Sequence, residues 1–116
     1  MISMALVFDN PPEPPYYAVI FTSLLRDDAD PGYEEMAEAM LELAQKQPDY
    51  LGFESARGED GLGMTVSYWK DEASIKAWKN LVKHKAAQES GKKNWYQWFR
   101  LHVAKVERTY SFKKED

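Results

Sequence analysis

The chain reads as an α+β protein in which elements follow the order β, α, β, β, α, β, and three features of the sequence carry that reading. A ten-residue run, "YYAVIFTSLL", is rich in aromatic and β-branched residues on both alternating sets, as a strand buried on two faces requires. The segments "YEEMAEAMLELAQKQ" and "DEASIKAWKNLVKHKAAQ" place apolar residues at helical spacing. Between them, "FESAR" and "MTVSYW" flank the glycine-rich "GEDGLG", the pattern of a hairpin. This order is that of a ferredoxin-like sandwich, with two helices on one face of a four-stranded antiparallel sheet.

Each element has its own justification. Met1 to Pro15 ends in "PPEPP", whose fixed φ angles and missing amide donors favour an extended arm, so the domain is expected over residues 16–112 with a charged tail at 113–116. The first strand begins at Tyr16. "RDDADPG" breaks it, and Tyr33, Met36, Met40, Leu43 and Ala44 then form the apolar stripe of a helix. Pro48 and Gly52 end that helical pattern ahead of the hairpin. Asp71 is placed to cap the second helix, in which Ile75, Trp78, Val82 and Ala86 line one face. Gly91 interrupts this helix, "NWYQWF" continues as a short turn or helix, and "LHVAKVERTYSF" reads as the last strand.

Composition bounds function. At 116 residues the chain holds one core, and 44% hydrophobic with 14% aromatic residues suffices to fill it. A net charge of −4 and a pI near 5.2 provide no electrostatic footprint for nucleic acid. No apolar stretch approaches the roughly 20 residues that cross a bilayer. The N-terminus lacks a basic region before its short apolar run, so a cytoplasmic protein is expected. There is no cysteine, which removes disulfides, thiolate nucleophiles and thiolate metal ligands. With His84 and His102 the only histidines, no metal site is expected. "GEDGLG" sits in a hairpin instead of opening a helix, and no G-x-S-x-G elbow occurs, so nucleotide-binding and hydrolase readings fall away.

The apolar residues on both sides of the first strand, and Val106, Tyr110 and Phe112 with Leu101 and Val103 at the end of the chain, leave a surface that two helices do not cover. A homodimer packed through its sheet faces is the simplest cover.

"GFES", "SYWKDEASIKAWKN", "HKAAQ", "WYQWF" and "HVAKVERTYSF" together resemble the antibiotic biosynthesis monooxygenase domain family, over roughly Tyr16 to Phe112. The resemblance implies a dimeric α+β barrel. It also implies oxygen chemistry without a prosthetic group on a small planar aromatic or phenolic substrate, held between the helices and the concave sheet. Two alternatives accompany it: a non-catalytic barrel that binds a small hydrophobic ligand, and a haem-degrading enzyme. Trp78, in "AWKN", takes the place of the family tryptophan and suits both core packing and ligand contact. Asn80, His84 and Gln88 form a polar row offset from the apolar stripe, and His84 or His102 is the candidate base. The family asparagine on the first strand corresponds to Thr22 or Ser23, and the haem-ligand position after the tryptophan holds Gln88. Trp69, Trp95 and Arg100 complete the candidate ligand-binding set.

Overall fold

The computed structural model describes residues 3–4, 12–27, 32–88, 96–112 and 114. Its elements are β1 (Ser3–Met4), β2 (Tyr16–Leu25), α1 (Gly32–Gln45), β3 (Tyr50–Arg57), β4 (Leu62–Trp69), α2 (Glu72–Gln88) and β5 (Tyr96–Val106). The four long strands and two helices give the expected β-α-β-β-α-β order of a ferredoxin-like fold. All pairings are antiparallel, in the order β1-β3-β4-β2-β5. The two-residue β1 was not anticipated; it pairs Ser3 with Arg57 and Met4 with Ala56 at the outer edge of β3.

β5 differs most from expectation. It begins at Tyr96, so Tyr96–Phe99 is strand and not turn or helix, and it ends at Val106 while residues 107–112 leave the ladder. The reason is the length of β2, which supplies partners from Tyr16↔Val106 to Leu25↔Tyr96 and leaves none beyond its own ends. A register shift between Leu24 and Leu25 absorbs one residue of β5.

Alternation along β2 divides the sheet into two faces. Val19 packs with Ala44 of α1, Ile75 of α2 and Trp69, and Tyr17, Tyr50 and Trp78 close around them. Tyr17, Val19, Phe21 and Ser23 therefore face the helices, with Trp69, Ser67, Thr65 and Gly63 beside them on β4 and Lys105, Val103, Leu101 and Phe99 on β5. Tyr16, Ala18, Ile20, Thr22 and Leu24 face the other way. There Tyr16 meets Tyr68 edge to face at 5.7 Å, and the Tyr68 hydroxyl donates to Glu54 Oε1 at 2.8 Å. Burial and this bond push the Tyr68 phenol up from its ordinary pKa.

The helix stripes pack as spaced: Ala44 and Ile75 are buried, and Met40, Leu43, Trp78 and Val82 are half-buried. Tyr33, Met36 and Ala86 have side chains outside the described residues. At the entry to α2, the Ser74 amide donates to Asp71 Oδ1 at 2.8 Å and the Ser74 hydroxyl donates to the Asp71 carbonyl at 2.8 Å. The hairpin between β3 and β4 turns at Gly61, whose φ of 89° only glycine adopts without strain. Its carbonyl accepts from the Leu25 amide at 3.1 Å and ties the hairpin tip to the end of β2.

Two outcomes follow from these contacts. The Ser74 amide, and then its hydroxyl, hold the Asp71 carboxyl below its ordinary value of 3.8, so the cap contributes above that pH and is lost as pH falls through the lower folded value. Asp71→Ala should lower the Tm at pH 7, and the gap to wild type should close in melts below pH 3.8. The Tyr50 hydroxyl is buried with no hydrogen-bond partner among the described residues, and burial pushes its pKa up to about 12. The neutral phenol is favoured in the fold, so its contribution is complete below pH 10 and declines towards pH 12. Tyr50→Phe should leave the Tm at pH 7 unchanged or raised, and should blunt alkaline unfolding above pH 10.

Candidate functional site

The layer between the helices and the sheet is aromatic at one end and polar at the other. At the aromatic end, Trp69 is fully buried and its Nε1 donates to Ser67 Oγ at 2.9 Å. Trp78 lies against it with ring centroids 5.1 Å apart and planes 33° from parallel, and Tyr50 meets Trp69 edge to face at 5.4 Å. Such pairs add to the burial they achieve by about 0.5–1.5 kcal/mol each. Trp78 Nε1 donates to the Met40 carbonyl of α1 at 3.1 Å, so this indole N–H joins the two helices. What Trp78 offers a ligand is its ring.

The polar end lies about 13 Å along β2 from Val19, at four residues of strand rise. Ser23 is fully buried there, on the helix-facing side. Arg57 reaches across β4 from the end of β3, and its Nη2 donates to Ser23 Oγ at 2.9 Å while Nη1 donates to the Gly61 carbonyl. Between Arg57 and Ser23 stands Gly63, where an added Cβ would come within 2.5 Å of Arg57 Cζ and 2.7 Å of both terminal nitrogens. The guanidinium therefore lies on a glycine that leaves space for it. One rung nearer the core, Ser55 and Thr65 share a hydrogen bond between hydroxyls at 2.9 Å. Arg57, Ser55 and Thr65 are half-buried and so reach solvent. Beside them Phe21, Tyr96 and Phe99 form a mutual aromatic cluster with centroids 5.5–5.7 Å apart.

The sequence-derived candidates fall in several places. Trp69 and Trp78 meet in the helix–sheet layer. Thr22, Arg100 and His102 lie on the opposite face of the sheet, where Thr22 pairs with Arg100 and Ile20 with His102. Arg100 there stacks over the Trp98 ring at 5.0 Å. Of the two candidates for the family asparagine position, it is Ser23 that faces the helices. Asn80 is exposed on α2. His84 and Gln88 belong to α2, with side chains outside the described residues, and Trp95 also lies outside them.

Arg57, Ser55, Thr65 and Tyr50 were not singled out by sequence reasoning. The one signal for Arg57 was a basic residue directly before the hairpin turn with a glycine in the facing strand. Among the described residues, no three His, Asp or Glu side chains stand together as a metal site, and no helix is long and apolar enough to cross a membrane. A separate open cavity of about 500 Å³ lies between Pro12–Pro14 and Glu107–Ser111, away from these residues.

Comparison with known proteins agrees with the fold. YqjZ of Bacillus subtilis (strain 168), named as an uncharacterized protein, is 48% identical over 103 residues, which covers 89% of this chain and 90% of the relative. SnoaB of Streptomyces nogalater, described as a cofactor-independent oxygenase, superposes with a TM-score of 0.63 at 11% identity, over 83% of this chain and 97% of its own. A variant of MhuD, solved with two manganese protoporphyrin IX molecules per active site, superposes with a TM-score of 0.62 at 16% identity, over 83% of this chain and 99% of its own. At those identities the two solved structures show a shared fold alone. Residues 15–90 match the model of the family described as antibiotic biosynthesis monooxygenase, and the chain belongs to that family.

Proposed function

We propose that this protein is a cofactor-independent monooxygenase that uses O2 to oxidise a small planar aromatic or phenolic substrate held between its helices and its sheet. The observation that carries this reading is the two-ended character of that layer. A flat apolar substrate finds ring surface at Trp78, Phe21 and Phe99, and its oxygen substituents find donors at Thr65 and Arg57. Family membership supports the reaction type.

In this reading the substrate loses a proton and its electron-rich anion passes one electron to O2. The resulting radical pair recombines as a peroxide, which collapses to a carbonyl and water. A CH2 group plus O2 gives C=O plus H2O, so one oxygen atom enters the product, the other leaves as water, and no external reductant is needed. The protein's part is to bind the ring, receive the proton and favour the anion. The proton acceptor is His84 of α2, because His102 stands on the far face of the sheet.

Haem is a poor fit to this chain. The position roughly ten residues beyond Trp78 holds Gln88, and an amide is a weak substitute for imidazole on haem iron.

Oxygen uptake with hydroquinone-like and phenolic substrates tests the reading. Wild type should consume O2 above the uncatalysed rate, and His84→Ala should lose about 100-fold or more, as expected when a general base is removed. His102→Ala should retain the wild-type rate. Absence of protein-dependent uptake across the panel would sink the proposal. So would a sharp Soret shift on haemin titration that His84→Ala abolishes, since that would favour haem chemistry.

The assembly we propose is a homodimer through the sheet. β5 is an edge strand, and Phe99, Leu101 and Val103 on it are 57%, 42% and 48% exposed, while Met64 and Leu62 on the other face are 48% and 46% exposed. Edge strands with exposed apolar residues are normally covered. Light scattering on the eluting protein should give twice the 13.4 kDa chain mass, and Leu62→Asp with Met64→Asp, on the face the helices leave uncovered, should shift it towards one chain. A wild-type monomer at micromolar concentration would refute this assembly.

A further inference from the structure

We propose that Arg57, held in place by Ser23, forms an anion subsite, which receives an ionised oxygen of an aromatic ligand as phenolate, enolate or carboxylate. This rests on the reading that the ligand lies between the helices and the sheet, and it names the ligand's charge.

Ser23 is fully buried on the helix-facing side of the central strand, a position that a valine or isoleucine would fill without desolvating a hydroxyl. Its oxygen accepts from Arg57 Nη2 at 2.9 Å. A hydroxyl that accepts from a guanidinium fixes the direction of that cation, and hydrogen bonds made by the cation to an anion are stronger than neutral ones. Ser23 has no exposed surface, so it holds the half-buried guanidinium from beneath, and the guanidinium is the group of the pair that can reach a ligand.

The backbone is shaped around it. Any side chain at position 63 would occupy the space of the guanidinium, since a Cβ there would lie 2.5 Å from Arg57 Cζ. The adjacent rung carries two more hydroxyls, Ser55 and Thr65, on the same face. Four polar side chains therefore gather at one end of a layer whose other end is Val19, Ala44, Trp69 and Ile75. A neutral hydrocarbon gains nothing from such an end. An aromatic anion has its ring satisfied by Phe21 and Phe99 and its charge by Arg57, which Ser23 holds in place. A phenolate or enolate held here is also the species that reduces O2, so the subsite would favour the reactive form of the substrate.

Arg57 also donates to the Gly61 carbonyl, which is a structural role in the hairpin, and the test must separate the two. Isothermal titration at pH 7 with 2-naphthoate and its neutral isostere 2-naphthamide does so, because a purely structural role would weaken both ligands alike. Wild type should prefer the anion by about tenfold or more, as hydrogen bonds to a charged group imply. Arg57→Gln should bring the ratio close to one while naphthamide binding changes little. Gly63→Ala should do the same by displacing the guanidinium without removing a polar group, and it covers the case in which Arg57→Gln fails to fold. Ser23→Ala should reduce the ratio partway. Equal affinity for the two ligands in wild type, a preference that survives both Arg57→Gln and Gly63→Ala, or binding of neither ligand would overturn the subsite. Anion preference without oxygen uptake would leave the subsite standing and remove the oxygenase reading. Oxygen uptake with no anion preference would do the reverse.

Discussion

β2 is hydrogen-bonded on both sides, to β4 over eight residue pairs and to β5 over ten, and this double pairing sets almost everything else in the molecule. A strand held in register along both edges cannot slip by one residue without moving every side chain to the opposite face. Its parity therefore decides which residues the helices cover. Val19 fixes the choice by packing between Ala44 and Ile75, and Ser23 then faces the helices while Thr22 does not. The positions of Ser67, Thr65 and Gly63 on β4, and through them Ser55 and Arg57 on β3, follow from the same register.

The helix layer is organised around two tryptophans whose indole N–H groups are both used inside the protein, one on Ser67 and one on the Met40 carbonyl. Satisfying these donors permits large aromatic surfaces to be buried without an unpaired polar atom. The nearby Tyr50 hydroxyl is the contrast, buried with no partner among the described residues. Polarity is concentrated instead at the hairpin end, where Arg57 is anchored by the turn carbonyl and by Ser23. The layer is thus divided between an aromatic end around Trp69 and Trp78 and a polar end around Arg57 and Ser23.

Much of the architecture was legible in the sequence because hydrophobic period and punctuation agree there. The two-period run at Tyr16, the glycine-rich turn and the stripe of Ile75, Trp78 and Val82 each point to one kind of element. Asp71 was legible as a cap because its carboxylate precedes the helix by one residue. The start of β5 was not, since "NWYQWF" has helical and extended readings of equal local merit, and only pairing with β2 selects strand. The site was less legible than the fold. β2 is apolar on both faces, so alternation alone could not say whether Thr22 or Ser23 looks inward. Arg57 lies 34 residues from Ser23, and no local pattern joins residues so far apart. Trp78 was recognisable as a core-facing ring, but the destination of its indole proton is the Met40 carbonyl, 38 residues earlier in the chain.

That bond between Trp78 and Met40 has an uneven consequence for sequence change. The acceptor is a main-chain oxygen, which every amino acid supplies, so the clasp between the two helices makes no demand on the side chain at position 40. The donor is a side-chain N–H, which only a long donor-bearing side chain at position 78 can supply. Drift along α1 can therefore reshape the helix layer over the sheet while its attachment persists, and the whole dependence falls on a single position of α2.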